Sequence, residues 1–245
     1  MKLPIQWLLV LLLSTLIIGS SDGQDLTKVN QQFFTAYTAN STTAWKFALQ
    51  QLEQSNDESM QLVLAKGYYC AAGTAMGNQD EDLAGDLLDK SAILTKKILK
   101  KNSDSAEANA LLSAVYGMKI GLSPIKGMLL GSKSSSMAQK GIDLAPDNGF
   151  TNYIKGNNLF YTPSAFGGDV EESITFFEKA RTIYEQTQQT ATWEYLNTMV
   201  LLGQAYHQLE NYEEAQSTYE TALKVAPNIG YIKEYLLPKT LKAKS

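Results

Sequence analysis

Side chains that could do covalent or acid–base chemistry are scarce in this chain. It holds one histidine, His207, and one cysteine, Cys70. A Cys/His zinc site takes about four such ligands, so none can be assembled. His207 has Gln204, Gln208 and Glu210 for neighbours and no nucleophile or acid partner beside it. Cys70 has no partner for an intramolecular disulfide. Among Tyr69, Ala71 and Ala72 it reads as a small helical hydrophobe, the alternative being a reactive or intermolecular thiol. Grouped carboxylates occur at Asp80, Glu81 and Asp82, at Glu171 and Glu172, and at Glu213 and Glu214. Each group opens a helical pattern, where it favours the macrodipole, and this explains it better than metal binding or glycoside chemistry. The run from Gly127 to Ser134 misses the G-x-x-x-x-G-K-[ST] spacing of a phosphate loop and follows no readable strand. No catalytic residue, cofactor or metal is expected. The chemistry that remains is recognition by aromatic rings and amides.

Those groups sit in a repeated helical pattern. Met199-x-x-Leu202-Gly203-x-x-Tyr206 is followed by Ala215-x-x-x-Tyr219-x-x-Ala222-x-x-x-x-Pro227. The spacing predicts two antiparallel helices. Gly203 allows a close approach, Leu202 and Tyr206 fall on the buried stripe of the first, and Ala215, Tyr219 and Ala222 line the second. Pro227 ends it, because a proline cannot continue a helix. The pattern resembles the tetratricopeptide (TPR) repeat, a helical hairpin of about 34 residues. Looser copies keep the register. One opens at Leu112-Ser113-x-x-Tyr116 and reaches Ala138, Gly141 and Pro146 after an insertion containing Gly121, Pro124, Gly127 and Gly131. The next starts at Pro146-Asp147-Asn148, centres on Gly156, and carries Ser173, Phe177 and Ala180 on its second helix. The clearest repeats are expected at about 106–147, 148–186 and 196–229. Gly67 to Leu99 reads as a further hairpin turning at Gly77–Asp80, and helices are expected over 25–39 and 44–52. A short helix with Tyr231, Tyr235 and Leu236 should cap the array, with Pro238 ending it and a frayed lysine-rich tail beyond. The fold class expected is therefore all-α, a TPR-like helical-repeat array or α-solenoid.

Residues 1–23 form a separate unit. Lys2 precedes an apolar run from Trp7 to Ile18 and then small residues, the layout of a secretory signal peptide. Cleavage is expected after Gly23, or alternatively after Ser21. The run is shorter than the ~20 residues that span a bilayer, although counting Leu3 and Ile5 would allow an uncleaved anchor. The rest, 24–245, reads as one helical domain of an exported protein, periplasmic or secreted from a bacterium. Removing the leader leaves the net charge at −4. Such acidity argues against a nucleic-acid partner, which needs a concentrated basic face.

The segments Tyr116–Pro124, Pro146–Asn148 and Phe160–Asp169 together are similar to exported TPR proteins common in Bacteroidetes-type bacteria. The Pro-x-x-Phe-Gly-Gly-Asp loop at 163–169 also resembles one in the TPR accessory component of TRAP-type transporters. The resemblance implies a periplasmic all-helical scaffold without an assigned reaction, or else a ligand-binding accessory subunit. In the loop's own terms, Gly167 and Gly168 permit positive φ, Asp169 is placed as an N-cap, and Phe166 should tuck into the neighbouring repeat. Free backbone N–H groups there would be the alternative, a ligand contact.

First helices line the concave face of such an array. The stripe opposite their buried side is Ala110, Ala114, Gly117 and Met118 in one repeat and Tyr153, Asn157, Phe160 and Tyr161 in the next. It continues as Asn197, Val200, Gln204, His207 and Gln208. The expected partner-binding groove is thus Met118, Tyr153, Asn157, Phe160, Tyr161, Asn197, Gln204, His207 and Gln208. It has no lysine or arginine to clamp a carboxylate terminus. A peptide or protein segment fits it, or a small apolar ligand. The alternative is that part of the stripe packs against the N-terminal helices. Membrane association is expected only through a partner or an uncleaved leader.

Overall fold

The computed structural model describes residues 21–53 and 60–244, with side chains from Leu26 onward. The apolar leader at 1–20 lies outside the described residues, and positions 21–23 fall in the first helix. Among the described residues eleven α-helices follow in order, with no strand. They are α1 (Ser21–Thr38), α2 (Thr42–Glu53), α3 (Gln61–Gly77), α4 (Glu81–Lys101), α5 (Ala106–Leu122), α6 (Gly127–Leu144), α7 (Gly149–Tyr161), α8 (Val170–Gln186), α9 (Trp193–Gln208), α10 (Tyr212–Val225) and α11 (Leu237–Lys244).

Helix boundaries follow local chemistry. Side chains of Asp80, Asn148, Asp169 and Thr192 accept from the backbone N–H three residues on, filling donors that the first turn leaves open. At the other end, Asn40, Gln79, Gln188 and Glu210 take positive φ just beyond α1, α3, α8 and α9. In each case the next residue's N–H returns to a carbonyl five residues back, as in Ser41 to Ala36 and Asn211 to Tyr206. This reversal folds consecutive helices into hairpins.

The hairpins α1/α2, α3/α4, α5/α6, α7/α8 and α9/α10 stack in sequence, and first helices α3, α5, α7 and α9 touch one another in order. One continuous core runs from Val29 to Leu236. Its close contacts recur at one register. A Cβ on Gly203 would stand 2.3 Å from the Tyr219 ring, and one on Gly156 would stand 2.8 Å from Phe177. In the α5/α6 hairpin a Ser113–Ser134 hydroxyl pair at 3.2 Å occupies the same place. Glycine or serine is required because anything larger would drive the paired helices apart.

Two expectations need correction. The supposed insertion with Gly121, Pro124, Gly127 and Gly131 is not a loop: α5 runs on to Leu122, a 3-10 turn spans Pro124–Lys126, and Gly127 already belongs to α6. Pro238 does not end the C-terminal helix either. A π-helical stretch, Tyr231–Leu236, runs without a break into α11, so Pro238 lies inside a continuing helical run. The tail is docked rather than frayed, with Thr240 1% exposed.

Candidate partner-binding groove

The predicted stripe is divided by packing. Helix α1 returns across the concave side and touches α9 as well as α2 and α3. Tyr37 on α1 donates to Asn197 Oδ1 at 3.1 Å, and Asn197 Nδ2 donates to the Tyr153 hydroxyl at 2.6 Å. Tyr153 also meets the Tyr69 hydroxyl, which bonds Asn157. The middle of the concave face is therefore filled by a polar chain in which Tyr69 and Tyr153 are buried and Tyr37, Asn157 and Asn197 half-buried. Around it Tyr69, Phe150, Tyr153 and Trp193 form a block with ring centroids 5.9–6.4 Å apart. Ala110 and Ala114 on α5 are buried too. Their small side chains let rings from α3 and α7 converge over that helix.

Placement of Tyr153 and Asn197 as partner contacts is thus corrected: Tyr153 has no exposed surface, and Asn197 spends both amide atoms inside the fold. Met118 is half-buried, its methyl seated 3.3 Å from where a Cβ on Gly73 would be. Phe160 is also half-buried and packs on the core, 6.4 Å from the Phe177 ring. His207 serves the C-terminus: its Nδ1 lies 2.9 Å from the Thr240 hydroxyl and its ring meets Tyr212 edge-on at 5.3 Å. Burial and Lys239 together lower its pKa.

What stays open is the C-terminal end. Tyr161 is 63% exposed, Tyr231 51% and Tyr235 55%. Tyr231 and Tyr235 stack with centroids 5.7 Å apart, and Gln204 Nε2 donates to the Tyr231 hydroxyl at 3.0 Å. Surrounding protein pushes the Tyr161 hydroxyl up to about 12, and Tyr231 adds to the rise. Burial likewise raises Tyr37, which feels Cys70, Tyr231 and Tyr161 in turn, so three tyrosines from α1, α7 and the π-helical stretch share one space. Tyr37, Tyr231 and Tyr235 were absent from the predicted stripe. A Tyr-x-x-x-Tyr pair after Pro227 places two rings on one helix face, and that was the available signal.

The glycine loop is explained by its own geometry. Gly167 has φ +89°, and a Cβ on Gly168 would lie 1.6 Å from the Thr162 carbonyl oxygen. The N–H groups of Phe166, Gly167, Gly168 and Asp169 all bond carbonyls between Leu159 and Ser164. Those four donors are spent within the fold. Asp169 caps α8 as expected, but Phe166 does not tuck into a neighbour; it is 79% exposed. A cleft of about 330 Å³ opens between α2, α3 and α4, lined by Trp45, Leu49, Tyr68 and Lys90. Its polar rim, Tyr68, Glu53 and Lys90, is already hydrogen-bonded to itself. No cluster of metal-ligating side chains occurs among the described residues, and Cys70 is buried, which raises its thiol pKa.

Stacked helical hairpins, closely packed through glycine in α7/α8 and α9/α10 and through a serine pair in α5/α6, define an all-α solenoid, a TPR-like helical-repeat array. The tetratricopeptide repeat family model matches residues 166–228. A similar solved structure is that of TTC0263, a thermophilic TPR protein in Thermus thermophilus. It shares 14% identity at a TM-score of 0.54, over 91% of this chain and 100% of that one. The crystal structure of MamA aligns at 20% identity and a TM-score of 0.42, over 67% of this chain and 88% of that one. No curated protein matches the chain.

Proposed function

We propose that this protein is an exported, non-catalytic interaction scaffold that holds an extended peptide or protein segment at the open, C-terminal end of its concave face. The observation that carries the reading is the exposed tyrosine group of Tyr161, Tyr231 and Tyr235, with Tyr231 stacked on Tyr235 and hydrogen-bonded by Gln204. Tyrosine combines a large apolar ring with a polar tip and loses little conformational freedom on binding, which is why it concentrates affinity at interfaces. Gln208, exposed at the end of α9, lies on the same stripe. The self-filled middle limits the partner to a short segment. Export rests on the layout of residues 1–23. A transporter-accessory role rests on the 163–169 loop alone, where the N–H groups of residues 166–169 are spent within the fold.

The test is selection of peptides from a random library on the folded chain, followed by titration against Tyr161→Ala and Tyr231→Ala. Each substitution should weaken binding by about 2 kcal/mol or more, roughly thirtyfold, with unchanged helicity. Undiminished affinity in both would overturn the assignment. N-terminal sequencing of the exported form should begin at Gln24.

A further inference from the structure

We infer that the α5–α6 corner is a membrane-docking tip that inserts aliphatic side chains into a bilayer bearing anionic headgroups. The corner overhangs the array. Gly203 and Gly156 lie five residues before the ends of α9 and α7, whereas Ser113, at the same register, lies nine before the end of α5. Their partners Tyr219, Phe177 and Ser134 all lie seven residues into the second helix. Helix α5 therefore carries about one extra turn, some 6 Å, past the loop edge.

On and beside that overhang stand the most exposed aliphatic side chains of the described chain: Ile125 at 75%, Met128 at 84% and Leu129 at 71%. Lys126, Leu129 and Lys133 fall on one stripe at i, i+3 and i+7. Neither lysine is ion-paired, whereas Lys119 pairs with Asp89 and Lys140 with Asp104. Although the chain is net acidic, no aspartate or glutamate occurs between Glu107 and Asp143. The acidic starts of α4 and α8 sit at the edge, a turn back from the tip.

Convex aliphatics rimmed by unpaired lysines match a lipid interface: the apolar groups enter below the headgroups while the ammonium groups stay among the phosphates. A protein site would favour a flatter surface with aromatic or arginine anchors. Exposed Phe166, on the next loop of the same edge, extends the apolar front. The leader would bring the opposite edge to a membrane, because α1 runs from Ser21 to the α1/α2 turn, and that turn bonds Asn78 on the α5–α6 side. Docking at the tip is thus separate from anchoring by the leader, and it revises the expectation that only a leader or partner reaches the membrane.

The experiment attaches an environment-sensitive fluorophore to a single thiol in the full chain, Met128→Cys with Cys70→Ala, with helicity checked. Gln189→Cys on the opposite edge is the control. With vesicles of phosphatidylcholine and phosphatidylglycerol, the probe at 128 should brighten and shift to the blue while that at 189 stays unchanged. Lys126→Gln with Lys133→Gln should weaken the response about thirtyfold, since each lysine near an anionic surface contributes about a fivefold factor. A chain that floats with vesicles while probe 128 stays in water binds through its leader, and the inference fails. It fails equally if probe 128 responds to protein concentration without vesicles, which would make a second copy the occupant, or if pure phosphatidylcholine serves as well.

Discussion

Tyr37 on α1 hydrogen-bonds Asn197 on α9 at 3.1 Å, joining residues 160 positions apart. This contact turns the first helix back into the concave face and makes a partly closed ring from what would otherwise be an open solenoid. Removing Asn197 leaves the Tyr37 and Tyr153 hydroxyls, and removing the Tyr37 hydroxyl leaves Asn197 Oδ1, without a part-buried hydrogen bond, which costs about 1–3 kcal/mol. Asn197→Ala should therefore lower the melting midpoint and speed hydrogen exchange in α1. Tyr37→Phe combined with Asn197→Ala should be less than additive. Additive losses would mean that the pair is not coupled.

The glycine register makes opposite predictions at two positions. Gly203→Ala forces a Cβ to 2.3 Å from Tyr219 and should destabilise by about 1–3 kcal/mol. Gly117→Ala meets nothing within 4 Å on an exposed face of α5 and should stabilise by about 0.5–1 kcal/mol. Chemical denaturation of both variants checks the pair, and equal signs would contradict the register.

Such packing rules explain which parts of the fold the sequence revealed. Gly203, Tyr219 and Pro227 belong to one hairpin, so their spacing encodes their contact. The return of α1 is not local, and Asn197 looks like any solvent-facing amide until Tyr37 and Tyr153 are brought to it. The stripe is a face of the first helices, but helix α1 packs over its middle. Pro238 misled because its role depends on the π-helical stretch before it, which has no simple sequence mark.

Two carboxylates near Lys66 should give opposite pH signatures. Burial raises the Glu194 pKa, Lys66 draws it back and Glu107 adds to the rise, with Tyr184 and Cys70 also close. For Glu107, burial opposes ionisation, but Lys66 at 2.8 Å and the Asn148 amide outweigh it and hold the pKa low. A raised folded pKa contributes stability that is present in acid and lost as pH rises through it. A lowered one contributes stability that is lost as pH falls. Glu194→Gln should therefore melt higher than wild type at neutral pH, with the gap closing toward acid. Glu107→Gln should melt lower at neutral pH, and its gap should close in the same direction. Melting curves across pH 4–8 read both; a Glu194→Gln deficit at neutral pH would refute the first assignment.

The most direct measurement of the central claim is tyrosine footprinting by mild iodination, with and without a saturating library-selected peptide. In the free chain, Tyr161, Tyr231 and Tyr235 should react while Tyr69 and Tyr153 stay protected. Bound peptide should shield those three exposed rings. If peptide saturates the chain and Tyr161, Tyr231 and Tyr235 react as before, binding lies elsewhere and the account of the groove is contradicted.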